Sequence, residues 1–298
     1  MSKESSVGAG NRVRAYIDLM KLRVVELLLV TTLPALVLAQ QGIPSTKITF
    51  ATLIGGTLAA GSANAFNMVI EADSDKLMKR TSKRPLSLGV ISKFEATIFA
   101  SIVGIISLFI FKVFTTPLAT LLAAIAIAFY VIIYTIALKR RTPQNIVWGG
   151  AAGCMPALIG WAAVTNSLSV TPWAFFLVIF FWTPPHFWAL AIKYKDDYAA
   201  AGIPMLPVTA TKTTLLRQIW IYTIAMIASS VALFISADLQ VWAMAINLAL
   251  GFSFAVQLRG LTEKSENYEK VAVKVFHWSI TYLSLLSVLL VAAQLLKA

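Results

Sequence analysis

Nine windows of about twenty apolar residues, roughly 22–40, 48–70, 95–113, 117–138, 145–165, 172–192, 215–236, 239–257 and 275–296, leave this chain few folds to choose from. In hydrocarbon every backbone N–H and C=O must be paired within the protein, so windows of that length cross a membrane as helices. Composition agrees, since 58% of the 298 residues are hydrophobic and only 13% are charged, far from the balance of a soluble domain. The expectation is an all-α, polytopic membrane bundle of nine transmembrane helices, one membrane-embedded domain over 1–298 with a polar segment at 1–20. That segment lacks a short apolar core followed by a small-residue cleavage site, so no cleavable signal peptide is expected. Cys154 is the single cysteine and sits in an apolar window, which excludes a disulfide framework and a cysteine-based metal site.

The net charge of +12 is not a nucleic-acid footprint, because no soluble basic domain carries it. It follows topology instead. All of the 25 Lys and Arg except Lys47, Lys112 and Lys297 fall on alternate connections. These are the N-terminal segment, the 71–94 loop, the 139–144 turn, the 193–214 loop with Arg217, and the 258–274 loop. The positive-inside rule places those connections and the N-terminus in the cytoplasm, and the C-terminus outside.

That rule does not call for acids, yet the same side holds two acidic clusters. Asn67, Glu71 and Asp75 are spaced four and four, so on a helix they line one face over two turns. Behind them follow Lys79, Arg80, Lys83 and Arg84. Carboxylates beside clustered cations suit Mg²⁺ with a phosphate-rich substrate, because Mg²⁺ takes one or two protein carboxylates and completes its shell with water and phosphate oxygens. A solvated, self-neutralising loop is the other reading of the same charges. The second cluster, Asp196-Asp197, follows the sixth window; if the second and sixth helices face one another, both clusters meet at one cavity mouth. A charged lip on an apolar bundle suits a polyprenyl diphosphate, whose allylic carbocation needs shelter from water. The rings at 175–188 offer faces to such a cation, or serve simply as packing and interfacial belts. A transporter with broken helices is the rival of another class, and the absence of midplane acids argues against it.

The pattern Asn67-x3-Glu71-x3-Asp75, followed by Lys79-Arg80-Thr81 and Lys83-Arg84-Pro85-Leu86, resembles the UbiA-type membrane prenyltransferase superfamily. Thr183-Pro184-Pro185-His186-Phe187-Trp188, Asp197-Tyr198 leading into Ala201–Pro207, Leu138–Thr142 and Asn145–Gly150 resemble the branch that farnesylates protohaem IX. The likeness runs from about 14 to 290. It implies transfer of a farnesyl group from farnesyl diphosphate to a vinyl group of haem B, giving haem O and diphosphate; an aromatic quinone precursor or a lipid is the alternative acceptor. By the same resemblance Asn67, Glu71 and Asp75 hold Mg²⁺, opposed by Asp197 and Asp196. Arg80, Lys83, Arg84, Lys139, Arg140 and Lys193 hold diphosphate. Two departures stand out: Glu71 replaces the superfamily's Asp, and Asp196-Asp197 replaces an Asp-x3-Asp. Asp73 lies on the other helix face and reads as solvated. His186, after a Pro-Pro pair inside a span, either meets the haem or bonds to an opened helix carbonyl. His277 reads as interfacial. Asn145 and Thr142 support either the diphosphate or a helix start. Expected partners are the lipid bilayer, the two substrates and a haem A synthase or terminal oxidase assembly. The expected location is a bacterial or archaeal plasma membrane, the inner membrane in a Gram-negative cell.

Overall fold

Helix starts follow the capping residues of the sequence. The computed structural model describes residues 9–265 and 267–297. After α1 (Ala9–Leu19) and α2 (Leu22–Gln40), the Ser45 hydroxyl accepts from the Ile48 N–H and caps α3 (Thr46–Asp75). Ser92 and Glu95 form a reciprocal capping box on α4 (Lys93–Phe114), and Thr116 caps α5 (Pro117–Ala128). Beyond Ala128 the same rod continues as a π-helix, Phe129–Leu138. Then come α6 (Asn145–Gly149), α7 (Ala151–Thr165), α8 (Val170–Lys193), α9 (Lys195–Ala200) and α10 (Leu206–Thr209). Helices α11 (Lys212–Ser236), α12 (Val241–Arg259) and α13 (Tyr268–Leu295) complete the chain.

Among the described residues, eight helical segments are long and apolar enough to cross a membrane. The remaining expected window is helical as α2, whose apolar stretch Val25–Gln40 is shorter. The chain is therefore all-α and an integral membrane protein, with helices at all nine expected windows. Three details differ from the sequence expectation. The second window extends to Asp75, which puts Glu71 and Asp75 on the last turns of the span instead of in the loop after it. The fourth changes to π geometry half-way along. The fifth is split at Gly150 into α6 and α7.

Lipid gives helices no hydrophobic reason to associate, so close approach at small residues does that work. On α3, the Gly55 carbonyl accepts from Ser107 Oγ at 2.7 Å, and Ser62 Oγ donates to the Ala100 carbonyl at 2.7 Å. A Cβ on Gly55 would lie 2.9 Å from the Phe111 ring, so α4 packs where α3 has no side chain. Helix α8 packs on α11 and α13, while α2 packs on α7 and α13 and so joins the first span to the last. Of the eight long spans α8 is the most buried and α5 the least, which sets α8 at the centre and α5 against lipid. At the basic end, a separate core of Met78, Ile146, Ala191, Ile203 and Met205 ties three connections together.

Candidate active site

Asn67, Glu71 and Asp75 stand on one face at the end of α3, and each is at most 4% exposed. Buried carboxylates in an apolar bundle require counter-charges. Three arrive from different parts of the chain. Arg84 Nη1 donates to Asp75 Oδ2 at 2.5 Å, Lys139 Nζ pairs with Glu71 Oε1, and Lys21 Nζ donates to Asn67 Oδ1 at 2.9 Å.

Each cation is aimed by local structure. Thr81 Oγ1 donates to the Asp75 carbonyl at 2.8 Å, folding the loop back so that Arg84 meets Asp75. Asn145 Nδ2 donates to the carbonyls of Lys139 and Thr142 and pins the turn that presents Lys139. Lys21, at the corner between α1 and α2, has a left-handed backbone, φ 51°, a conformation that costs a non-glycine residue energy. Desolvation, reinforced by Arg84 and Lys139, pushes the Lys21 ammonium down to about 7, against the pull of Glu71 and Asp75.

The π-helix supplies the rest of the wall. Thr135 Oγ1 donates to the Tyr130 carbonyl five residues back at 2.8 Å and accepts from Asn67 Nδ2 at 3.2 Å. The Tyr130 hydroxyl donates to Asn64 Oδ1 at 3.4 Å. Gly149 makes this possible, because a Cβ there would lie 1.9 Å from the Tyr134 ring. Thr135, Tyr130 and Asn64 were not legible as site residues in the sequence, since α-helical spacing does not assign their faces. In the sequence Lys21 reads only as a charge that sets topology.

The other expected residues divide. Asp197 Oδ2 accepts from the Arg80 backbone N–H at 3.2 Å, and the Arg80 guanidinium lies over the Tyr194 and Tyr198 rings at 5.8 and 6.0 Å. Lys83 and Arg140 are exposed at the rim. Asp73 is exposed and pairs with Lys93 at 2.8 Å. Asp196 and Lys193 border a separate cavity beside α11 and α13. Among the described residues no three of His, Cys, Asp and Glu converge closely enough to hold a metal by themselves. The donors present nonetheless fit Mg²⁺: two buried carboxylates and an amide oxygen on one face are hard ligands, and the adjacent cations suit the diphosphate that would complete its shell.

His186 lies elsewhere, buried between α8 and α13. Its ring stacks on Trp182 at 4.2 Å and leans on Phe276 at 4.6 Å. Nδ1 is 2.7 Å from Ser279 Oγ, and the Ser279 hydroxyl donates to the Phe276 carbonyl at 2.6 Å. With its only proton so engaged, Ser279 accepts from His186 Nδ1–H, which leaves Nε2 as the bare nitrogen. Trp182 Nε1 donates to the Ser279 carbonyl at 2.8 Å and fixes the same corner.

The chain as a whole has counterparts among known proteins. The model of the UbiA prenyltransferase family matches residues 28–280. The chain belongs to the UbiA prenyltransferase family. It is 48% identical to a protoheme IX farnesyltransferase of Parafrankia sp. (strain EAN1pec), over 97% of this chain and 92% of that one. To the protoheme IX farnesyltransferase of Streptomyces coelicolor it is 46% identical, over 93% and 89%. Among solved structures, a digeranylgeranylglyceryl phosphate synthase superposes with a TM-score of 0.78 at 15% identity, covering 95% of this chain and 99% of that one. A UbiA homologue from Archaeoglobus fulgidus bound to GPP and Mg²⁺ gives 0.67 at 15% identity, covering 93% and 99%. Those two likenesses carry the fold. The family makes the chain a prenyltransferase, and divalent metal is used within the family.

Proposed function

We propose that this UbiA-family enzyme transfers the farnesyl group of farnesyl diphosphate to a vinyl group of haem B, giving haem O and diphosphate. The observation that carries the reading is the 48% identity over 97% of the chain to a protoheme IX farnesyltransferase. The buried Asn67–Glu71–Asp75 face, set among Lys21, Arg84 and Lys139, supports it chemically.

In this reading Asn67, Glu71 and Asp75 would hold Mg²⁺, with Asp197, which accepts from the Arg80 N–H of the 76–86 loop, as the opposing carboxylate. Bound there, Mg²⁺ would neutralise diphosphate charge as a Lewis acid. Arg84, Lys139 and Lys21 exchange their carboxylate and amide partners for diphosphate oxygens, and Arg80, Lys83 and Arg140 extend the cationic rim. The farnesyl C1–O bond breaks, its electron pair leaving on diphosphate, where the fixed cations stabilise the developing charge. The vinyl π electrons then form the new C–C bond to C1. The cation left beside the porphyrin is captured by water, which releases one proton and leaves the hydroxyl group. His186 meets the haem through Nε2. The active site faces the cytoplasm with the N-terminus, and the C-terminus lies outside; the distribution of basic residues supports this orientation. A haem A synthase or terminal oxidase assembly receives the product.

The test is product mass after incubating the purified protein in lipid with haem B, farnesyl diphosphate and Mg²⁺, beside an EDTA control. A Mg²⁺-dependent haem heavier by a farnesyl group and a hydroxyl group is expected. Prenylation of an aromatic acid or a lipid instead would overturn the haem acceptor while keeping the diphosphate site.

A further inference from the structure

A polar cavity of about 530 Å³ opens at the basic end between α8, α11 and α13. It belongs to neither the Asn67–Glu71–Asp75 face nor the loop that closes over it. Lys193 and Lys195 border it from the α8–α9 junction, Lys212 from the first residue of α11, and Lys270 from the first turn of α13; Asp196 and Glu269 partly offset them. The positive-inside rule explains why lysines lie on this side. It does not explain why lysines from three separate segments converge on one hollow. Lys212 Nζ stands 4.7 Å over the Tyr268 ring, and the buried Tyr268 hydroxyl has no hydrogen-bond partner among the described residues. Ammonium groups gathered around one hollow are a recognition element for an anion. Ile192 and Leu215 give the cavity apolar walls.

The cavity shares its helices with the His186–Ser279 corner. His186 and Lys193 are seven residues apart on α8, so they lie on one face two turns from each other, about 10 Å by helix rise. Phe276, which touches the His186 ring, is on α13 with Tyr268 and Lys270. A planar apolar macrocycle carrying carboxylates at one edge matches that spacing: carboxylates in the lysine-bordered mouth, ring toward the aromatic corner.

We propose that the cavity bordered by Lys193, Lys212, Tyr268 and Lys270 is the carboxylate-binding end of the acceptor site and holds the two propionates of the haem. This rests on the haem reading above. It separates the acceptor's anchor from the diphosphate site and gives Lys193 to the acceptor.

The experiment titrates the protein, in nanodiscs of purely zwitterionic lipid, with haem B and with haem B dimethyl ester, following the Soret band. The unmodified protein is expected to bind haem B roughly tenfold tighter than the ester, as for loss of charge-assisted hydrogen bonds. A Lys212→Gln/Lys270→Gln double variant is expected to bind both forms equally weakly, while Lys212→Arg/Lys270→Arg retains the preference. Unchanged binding of farnesyl diphosphate with Mg²⁺ certifies that the variants are folded. Retention of the preference in the Gln variant overturns the proposal and leaves the haem reading standing. Absence of saturable binding of either haem to the unmodified protein overturns the haem reading itself.

Discussion

Asp196 and Asp197 are neighbours in sequence and face different places: Asp197 Oδ2 accepts from the Arg80 N–H at 3.2 Å, while Asp196 borders the lysine-lined cavity. The pair is therefore not one ligand set, and its members are expected to fail differently. Asp197→Ala should cost roughly 100-fold in kcat, the scale of losing an electrostatic partner at the reacting centre. Asp196→Ala should act mainly on KM for the acceptor. Steady-state kinetics on both substrates separate the two, and equal loss of kcat in both variants would contradict the division.

Thr135 holds the Asn67 amide so that its oxygen faces the site. Thr135→Val removes the acceptor for Asn67 Nδ2 and frees the amide to flip, whereas Thr135→Ser keeps the hydroxyl. The expected result is about a tenfold higher Mg²⁺ requirement in the Val variant and near-normal behaviour in the Ser variant, the usual scale for a group that orients a metal ligand. Thermal stabilisation by Mg²⁺ with diphosphate gives a readout independent of turnover.

Asp75 and Arg84 form a pair in which neither side chain has free access to solvent, at 5% and 18% exposure. Truncating Arg84 alone leaves a buried carboxylate without compensation, so Arg84→Ala should destabilise the fold by roughly 3–5 kcal/mol. Asp75→Asn/Arg84→Gln should recover most of that stability with no recovery of activity. Thermal unfolding in detergent, run beside the farnesyl-transfer assay, checks both halves.

Ser279 fixes which nitrogen of His186 carries the proton. Ser279→Ala should weaken haem binding roughly tenfold and alter the Soret spectrum, since a hydrogen-bonded partner sets the orientation and basicity of a ligating imidazole. Binding of farnesyl diphosphate should not change. An unaltered haem spectrum would show that the Ser279 contact serves only packing.

Gly149 faces the Tyr134 ring at a distance no Cβ tolerates. Gly149→Ala should displace the π-helical segment that carries Thr135 and leads to Lys139, lowering the melting temperature and activity together. Tyr134→Ala in the same chain should restore much of the stability. The pair of variants, compared by thermal melts, tests whether this contact positions the segment.

Helix at each of the nine apolar windows, the membrane, the basic side and the Asn67–Glu71–Asp75 face were all determined by sequence alone, because hydrocarbon burial, charge asymmetry and helical spacing are local or additive properties of a chain. The motif around Thr183–Trp188 likewise marked His186 before its surroundings were known. What only the tertiary structure decided is which cations meet which acids. Lys21, Arg84 and Lys139 reach one cluster through a left-handed corner, a folded-back loop and a turn pinned by Asn145. Thr135 reaches it because a π-helix shifts the face it presents, a change that depends on Tyr134 fitting over Gly149. The same packing sends Asp196 and Lys193 to the lysine-bordered cavity and Asp197 to the Arg80 N–H. No one-dimensional pattern encodes that division, because it arises from contacts between separate segments, Arg80 with Asp197 among them, where burial leaves each charge only the partners that the fold brings to it.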